Sequence, residues 1–168
     1  FFQRSNEGDK AVVAALNASQ AVIEFTPGGD ILTANDNFLA CVGYRLDEIA
    51  GRHHSLLCDP DYVASDAYRG FWRDLAAGQF RSDVFKRIGK GGRVVWLQAS
   101  YNPIRDKTGK VVRVIKFASD VTEQKRREMD AQGKIDAIKR SQAVIEFTPT
   151  GEVLTANDNF LNALGYRL

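Results

Sequence analysis

Two histidines and two cysteines, His53, His54, Cys41 and Cys58, are the only imidazole and thiol side chains among the 168 residues. Neutral imidazole nitrogens can carry protons or ligate metals, and thiolates can act as nucleophiles. Two cysteines cannot build a zinc cluster, and they read as the reduced thiols of a cytoplasmic protein. No Ser-His-Asp set, carboxylate pair at a credible site, or kinase or cyclase signature accompanies them, so the chain is expected not to be an enzyme. Gly89-Lys90-Gly91-Gly92 lacks the strand-to-helix context of a phosphate loop and reads as a hairpin turn. Lys and Arg number 23 against 21 Asp and Glu, a formal net charge of +2, too even for a nucleic-acid surface. No apolar stretch approaches the roughly 20 residues of a membrane span, and no signal segment opens the chain. Neither nucleic-acid nor membrane contact is expected. A start at Phe1 reads as a segment of a longer polypeptide.

The elements that must hold the histidines are legible. Ala21 to Phe25 and Ile31 to Ala34 are expected strands joined by the turn Thr26-Pro27-Gly28-Gly29. A short helix follows, capped by Asn35 or Asp36 and carrying Phe38 and Leu39. Leu46 to Ala50 is another helical turn. A longer helix is expected from Asp59-Pro60 to Gly78, with Tyr68, Phe71, Trp72 and Leu75 along one stripe. Phe71 and Trp72 read as core. Strands are then expected at Gln79 to Ile88, Arg93 to Ile104 and Lys110 to Ser119. The order gives an α+β domain, a five-stranded antiparallel sheet with short helices on one face.

A repeat sets the boundaries. Ser19 to Leu46 and Ser141 to Leu168 are 28-residue blocks differing at six positions and offset by 122 residues (141 − 19). That period indicates copies of one domain rather than a solenoid. Val13 and Leu16 precede the first block as Ile135 and Ile138 precede the second, each pair an apolar stripe on a flanking helix. The expected organisation is a flanking helix at 1–18, a domain at 19–122, a helical linker at 123–140 and the start of a second copy at 141–168.

The chain resembles the PAS domains of bacterial chemotaxis receptors. The resemblance rests on Asn35-Asp36-Asn37-Phe38, Gly43-Tyr44-Arg45-Leu46, His53-His54, Phe71-Trp72, Ser100-Tyr101-Asn102-Pro103-Ile104 and Asp120-Val121-Thr122, in this order. It implies a PAS fold with signalling helices at both ends, enclosing a pocket between sheet and short helices. It also implies a sensory and dimerisation module, most directly of a chemoreceptor, passing a ligand, oxygen or redox signal along the linker to a downstream domain of the same chain. The alternatives are a sensor module of a histidine kinase or cyclic-dinucleotide enzyme, or a ligand-free interaction domain.

The resemblance also names candidate pocket residues. The light-sensing flavin branch carries a reactive cysteine where His54 stands here, in Gly51-Arg52-His53-His54-Ser55, and Cys58 is four residues away. The positions matching its flavin-bonding amides are Leu97 and Ala118, which have no polar side-chain atoms. A photochemical flavin is therefore not expected. Haem b is the other candidate, with His53 or His54 as iron ligand, since haem-binding relatives use a histidine in this region and Met129 lies in the linker. Two adjacent residues cannot both face inward, and a pair of solvent-facing histidines on a loop stays open beside haem, a non-covalent flavin or a small metabolite. Val95, Leu97, Ala99 and Tyr101 share the pocket face, which turns Trp96 outward. Lys116 points inward, toward a haem propionate or another anion, or snorkels out. Asp120 and Thr122 occupy the family's strand-to-helix relay, and Glu123 completes a capping box with Asp120. Residues 141–168 are expected to order as a homodimer contact, by domain swapping or by packing on a neighbour's sheet.

Overall fold

The computed structural model describes residues 6–165, which fall into two compact units divided after Thr122. Residues 1–5 of the expected first helix and 166–168 of the second block lie outside the described residues.

In the first unit a helix α1 (Asn6–Ser19) leads into β1 (Ala21–Phe25) and β2 (Ile31–Ala34). Three helices, α2 (Asp36–Val42), α3 (Leu46–Ile49) and α4 (Pro60–Ala64), and a 3-10 turn at His54–Leu57 cross one face. Then come α5 (Asp66–Ala76), β3 (Arg81–Ile88), β4 (Val94–Arg105) and β5 (Val111–Asp120). The five strands pair antiparallel, as the sequence led us to expect, and their order in the sheet is β2-β1-β5-β4-β3. Period-two alternation decides which side chains go inward. Along β4, Val95, Leu97, Ala99 and Tyr101 are buried, and Trp96 turns to the other face, half-buried. The inner face meets Phe38, Ile49, Leu57 and the α5 stripe of Tyr68, Phe71, Trp72 and Leu75 in one core.

The expected long helix from Asp59 is broken in two. Asp59 and Pro60 start α4 at N-cap and N1 as anticipated, but Ser65 is extended (φ −79°, ψ 156°). Its hydroxyl accepts from Tyr68 N–H, capping α5, and donates to the Tyr62 carbonyl at 2.6 Å. A serine that satisfies both flanking ends stabilises the break. The start of β3 also moves, from Gln79 to Arg81. Gln79 N–H bonds the Asp74 carbonyl and Gly78 N–H that of Leu75, a Schellman closure that keeps Gln79 with the helix.

Asparagines at the start of α2 act over a longer range than capping. Asn35 Oδ1 accepts from Phe38 N–H, as helix cap, and from Val22 N–H. Its Nδ2 donates to the carbonyls of Asn17 (3.0 Å) and Gln20 (2.8 Å). Asn37 Nδ2 reaches the same two carbonyls at 3.1 Å. The C-terminal carbonyls of α1, which no helical N–H can satisfy, are thus held by the first helix of the domain.

The second unit holds α6 (Thr122–Ser141), whose first residue belongs to unit one, then β6 (Ile145–Phe147), β7 (Val153–Ala156) and α7 (Asp158–Leu164). It repeats the first block locally. Asn157 caps α7 and donates to Lys139 and Gln142 carbonyls; Asn159 donates to those of Arg140 and Gln142. No residue of α6 is buried, and Ile135 and Ile138 are exposed, as are Val13 and Leu16 on α1. No described helix is long and apolar enough to cross a membrane.

Candidate functional site

The 3-10 turn separates the two histidines. His53 caps it: Nδ1 accepts from Ser55 N–H, so Nε2 carries the proton and donates to the Gly28 carbonyl at 3.0 Å. This ties the turn to the β1–β2 connection. Gly29, at φ +100°, makes the approach possible, because a Cβ there would stand 2.6 Å from His53 Nε2 and 2.9 Å from the Trp72 ring. His53 is half-buried, and His54, next in sequence, is fully buried. The reading of both histidines as solvent-facing is therefore corrected: a one-residue step along the turn sends only His54 inward.

His54 is the middle of a polar chain through the core. Its Nε2 lies 3.1 Å from the Tyr101 hydroxyl and its Nδ1 3.0 Å from the Tyr68 hydroxyl. Arg87 Nη2 donates to the Tyr101 oxygen at 3.0 Å and Nη1 to the Lys86 carbonyl. With the Tyr101 proton assigned to His54 Nε2, Nδ1–H is left to donate to Tyr68. Cys58 Sγ sits 3.5 Å from the same Nδ1. The chain links β3, β4, the 3-10 turn and α5. Burial, with the positive charges of Arg87 and Lys116 added, pushes the His54 pKa well below the ordinary imidazole value, so the ring is neutral. Burial likewise raises Tyr101 to about 12 and raises Tyr68. Burial also raises the Cys58 thiol.

Lys116 is buried (1% exposed) and faces inward, which removes the snorkelling alternative. Its Nζ lies over the rings of Tyr101 (4.9 Å) and Phe38 (5.4 Å). Desolvation, then the nearby Arg87 charge, drives its pKa well below the usual lysine value. Leu97 and Ala118 line the same face without polar side-chain atoms, and Ala118 pairs with Ala99 across the sheet.

Haem does not fit this packing. Both His54 nitrogens hydrogen-bond tyrosine hydroxyls, and the ring is enclosed by Phe25 (5.4 Å between centroids), Trp72 (5.2 Å), Tyr68 (5.8 Å), Tyr101 (5.9 Å) and Phe71 (6.1 Å). His53 has both nitrogens engaged as well.

At the relay, the expected capping box is not formed. Asp120 Oδ1 accepts from Thr122 N–H at 2.8 Å, an Asx turn, and Glu123 pairs forward with Arg126 and Arg127. Those two guanidinium groups hold its carboxyl down to about 2. Thr122, one of the expected relay residues, also bonds the sheet. Trp96 N–H donates to Thr122 Oγ1 at 2.9 Å, and Val121 N–H to the Trp96 carbonyl at 2.9 Å. Thr122 is thus stitched to β4, the strand that carries Leu97 and Tyr101 on its inner face.

Sequence reasoning placed Tyr101 on the inner face, left His54 and Lys116 open between inward and outward, and missed Arg87. Lys86 and Arg87 are adjacent on β3, and two neighbouring cations give alternation nothing to choose between. The joint at Trp96 was missed because a main-chain donor leaves no residue-type signal.

The chain belongs to the PAS fold family, whose model matches residues 31–118. It is similar to the biofilm dispersion protein BdlA of Pseudomonas aeruginosa, 49% identical over 154 residues, covering 92% of this chain and 37% of that protein. It is also similar to the aerotaxis receptor of Escherichia coli, 32% identical over 74 residues, 44% of this chain and 14% of the receptor. The chain thus spans well under half the length of these relatives. A solved light-oxygen-voltage domain studied with a flavin analogue superposes with TM-score 0.57 at 25% identity, covering 76% of this chain and 96% of that one.

Proposed function

We propose that the chain is a sensory and dimerisation PAS module of a bacterial signal-transduction protein of the chemoreceptor type, working without a catalytic step of its own. A change at the buried His54–Tyr101 cluster would move β4, and β4 would move the start of α6. The observation that carries this reading is the stitch at Trp96, whose N–H donates to Thr122 Oγ1 and whose carbonyl accepts from Val121 N–H, each at 2.9 Å. The similarity to an aerotaxis receptor and to a biofilm dispersion protein supports a chemotaxis-type output, which a further domain of the parent polypeptide would supply.

The experiment is Thr122→Val, which keeps the side-chain shape and removes the acceptor for Trp96 N–H. Hydrogen exchange of Trp96 and of the first turn of α6 should rise, while exchange in β1 and the core of β4 stays slow. In the parent protein, output should lose its dependence on stimulus with expression unchanged. Normal regulation with an opened joint would remove Thr122 from the mechanism.

A further inference from the structure

The core of the first unit holds two basic side chains and no acidic partner for either. Lys116 and Arg87 are 1% and 2% exposed, both beside Tyr101, and among the described residues no carboxylate lies within ion-pair distance of either. Buried cations are ordinarily paired, because an isolated one loses its hydration without compensation. The hydrogen-bond balance leans the same way. Arg87 Nε and Trp72 Nε1, both buried, have no acceptor. The Trp72 N–H comes near the Tyr68 hydroxyl and influences its titration without the geometry of a hydrogen bond. Both orphans are donors, and what they lack is an acceptor.

A groove lies on the far side of two phenylalanine rings from this cluster. A groove of about 570 Å³ runs between α4–α5 and β3, lined by Tyr62, Phe71 and Phe85 among three carboxylates, Asp66, Asp74 and Asp83, and two guanidinium groups, Arg73 and Arg81. Phe71 and Phe85 meet edge to face at 6.0 Å, and each also packs on Tyr101, at 4.9 and 5.2 Å. Arg87 lies over the Phe85 ring at 4.8 Å. The two phenylalanines thus form the wall between groove and cationic cluster. β3 is an edge strand, hydrogen-bonded to β4 alone, and the half-buried Phe85 is the member of the wall that it carries.

We infer that this groove and cluster form the binding site of a small organic acid, an apolar body bearing one carboxylate, which enters past Phe85. The carboxylate accepts from Arg87 Nε, and Lys116 supplies the second positive charge beside the same phenol. The apolar body takes up the Phe71–Phe85 wall. The inference rests on the sensory reading given above and assigns its ligand a chemical class.

The test uses the intact chain with octanoate and phenylacetate, each against its primary amide. The readouts are the Arg87 Nε–H resonance, Trp72 fluorescence and melting temperature. Both acids should shift the Arg87 resonance and raise the melting temperature saturably at millimolar concentrations, with the amides about tenfold or more weaker. Lys116→Met should melt higher than the parent without ligand, because it removes a buried unpaired cation, yet bind the acids about tenfold more weakly. Arg87→Gln should lose the acid–amide distinction, and Lys116→Met keeps the test decisive should Arg87→Gln fold poorly. Equal binding of acid and amide would mean that water serves the orphan donors and would overturn the inference. So would the absence of any saturable change with either acid. Either result would leave the Thr122→Val exchange experiment, and the relay it tests, standing.

Discussion

Tyr101 satisfies two neighbours with one hydroxyl, accepting from Arg87 and donating to His54. Tyr101→Phe should therefore cost about 1–3 kcal/mol in urea denaturation, the range for leaving buried polar groups unsatisfied, although the ring and its packing remain. His54 supplies a pH signature. Its folded pKa is depressed by burial and by Arg87, Lys116 and His53, with Cys58, Tyr68 and Tyr101 as its other polar neighbours. The unfolded chain therefore takes up a proton, near the ordinary pKa of about 6.5, before the folded one does. The stabilising contribution of the neutral ring is complete above that pH and falls as the pH drops from there toward the folded value. His54→Phe should flatten the decline in melting temperature between about pH 6.5 and 5, and an unchanged slope would assign it to other groups. At this scale the sequence was a partial guide. Period two along β4 placed Tyr101 and Leu97 inward, while Lys116 needed the family register, since Arg113 and Lys116 fall on opposite faces of β5. Arg113 is the one that faces out, paired with Glu24.

Among the elements, turns and caps were read well where a single residue type decides them: Pro60 at N1, Asn35 at N-cap, the hairpin at 89–92. They were misread where a side chain had two local partners to choose from. Ser65 broke an expected helix, and Asp120 took Thr122 N–H instead of closing a box with Glu123. The asparagine clamp was invisible because its acceptors are main-chain carbonyls 15 to 20 positions upstream. Its strength can be measured. Asn35→Ala removes a cap and the bond to Gln20 together, and should cost about 1–2 kcal/mol in thermal denaturation, with faster exchange at the end of α1. Asn37→Ala, which touches only the carbonyls, should speed the same exchange at smaller cost. If α1 exchanges at the parental rate in both, the clamp holds nothing.

For the molecule as a whole, the α+β fold and its five antiparallel strands were legible because strand, turn and helix signals alternated cleanly. Assembly is an expectation that the repeat motivates. The second unit exposes Phe147 (54%), Leu154 (63%) and Val153 (50%), apolar surface of the kind that seeks a partner. Light scattering should show a dimer for the full chain and a smaller species for one ending at Arg140. The same mass per chain for both would rule out 141–168 as the contact. The asparagine clamps bear on ancestry as well as on structure. Because Asn35 and Asn157 grip the preceding helix through main-chain carbonyls, the grip is indifferent to which helix precedes it. An unequal crossover between the two coding blocks would delete or add 122 residues, one domain with one helix, and leave a working clamp at the new seam.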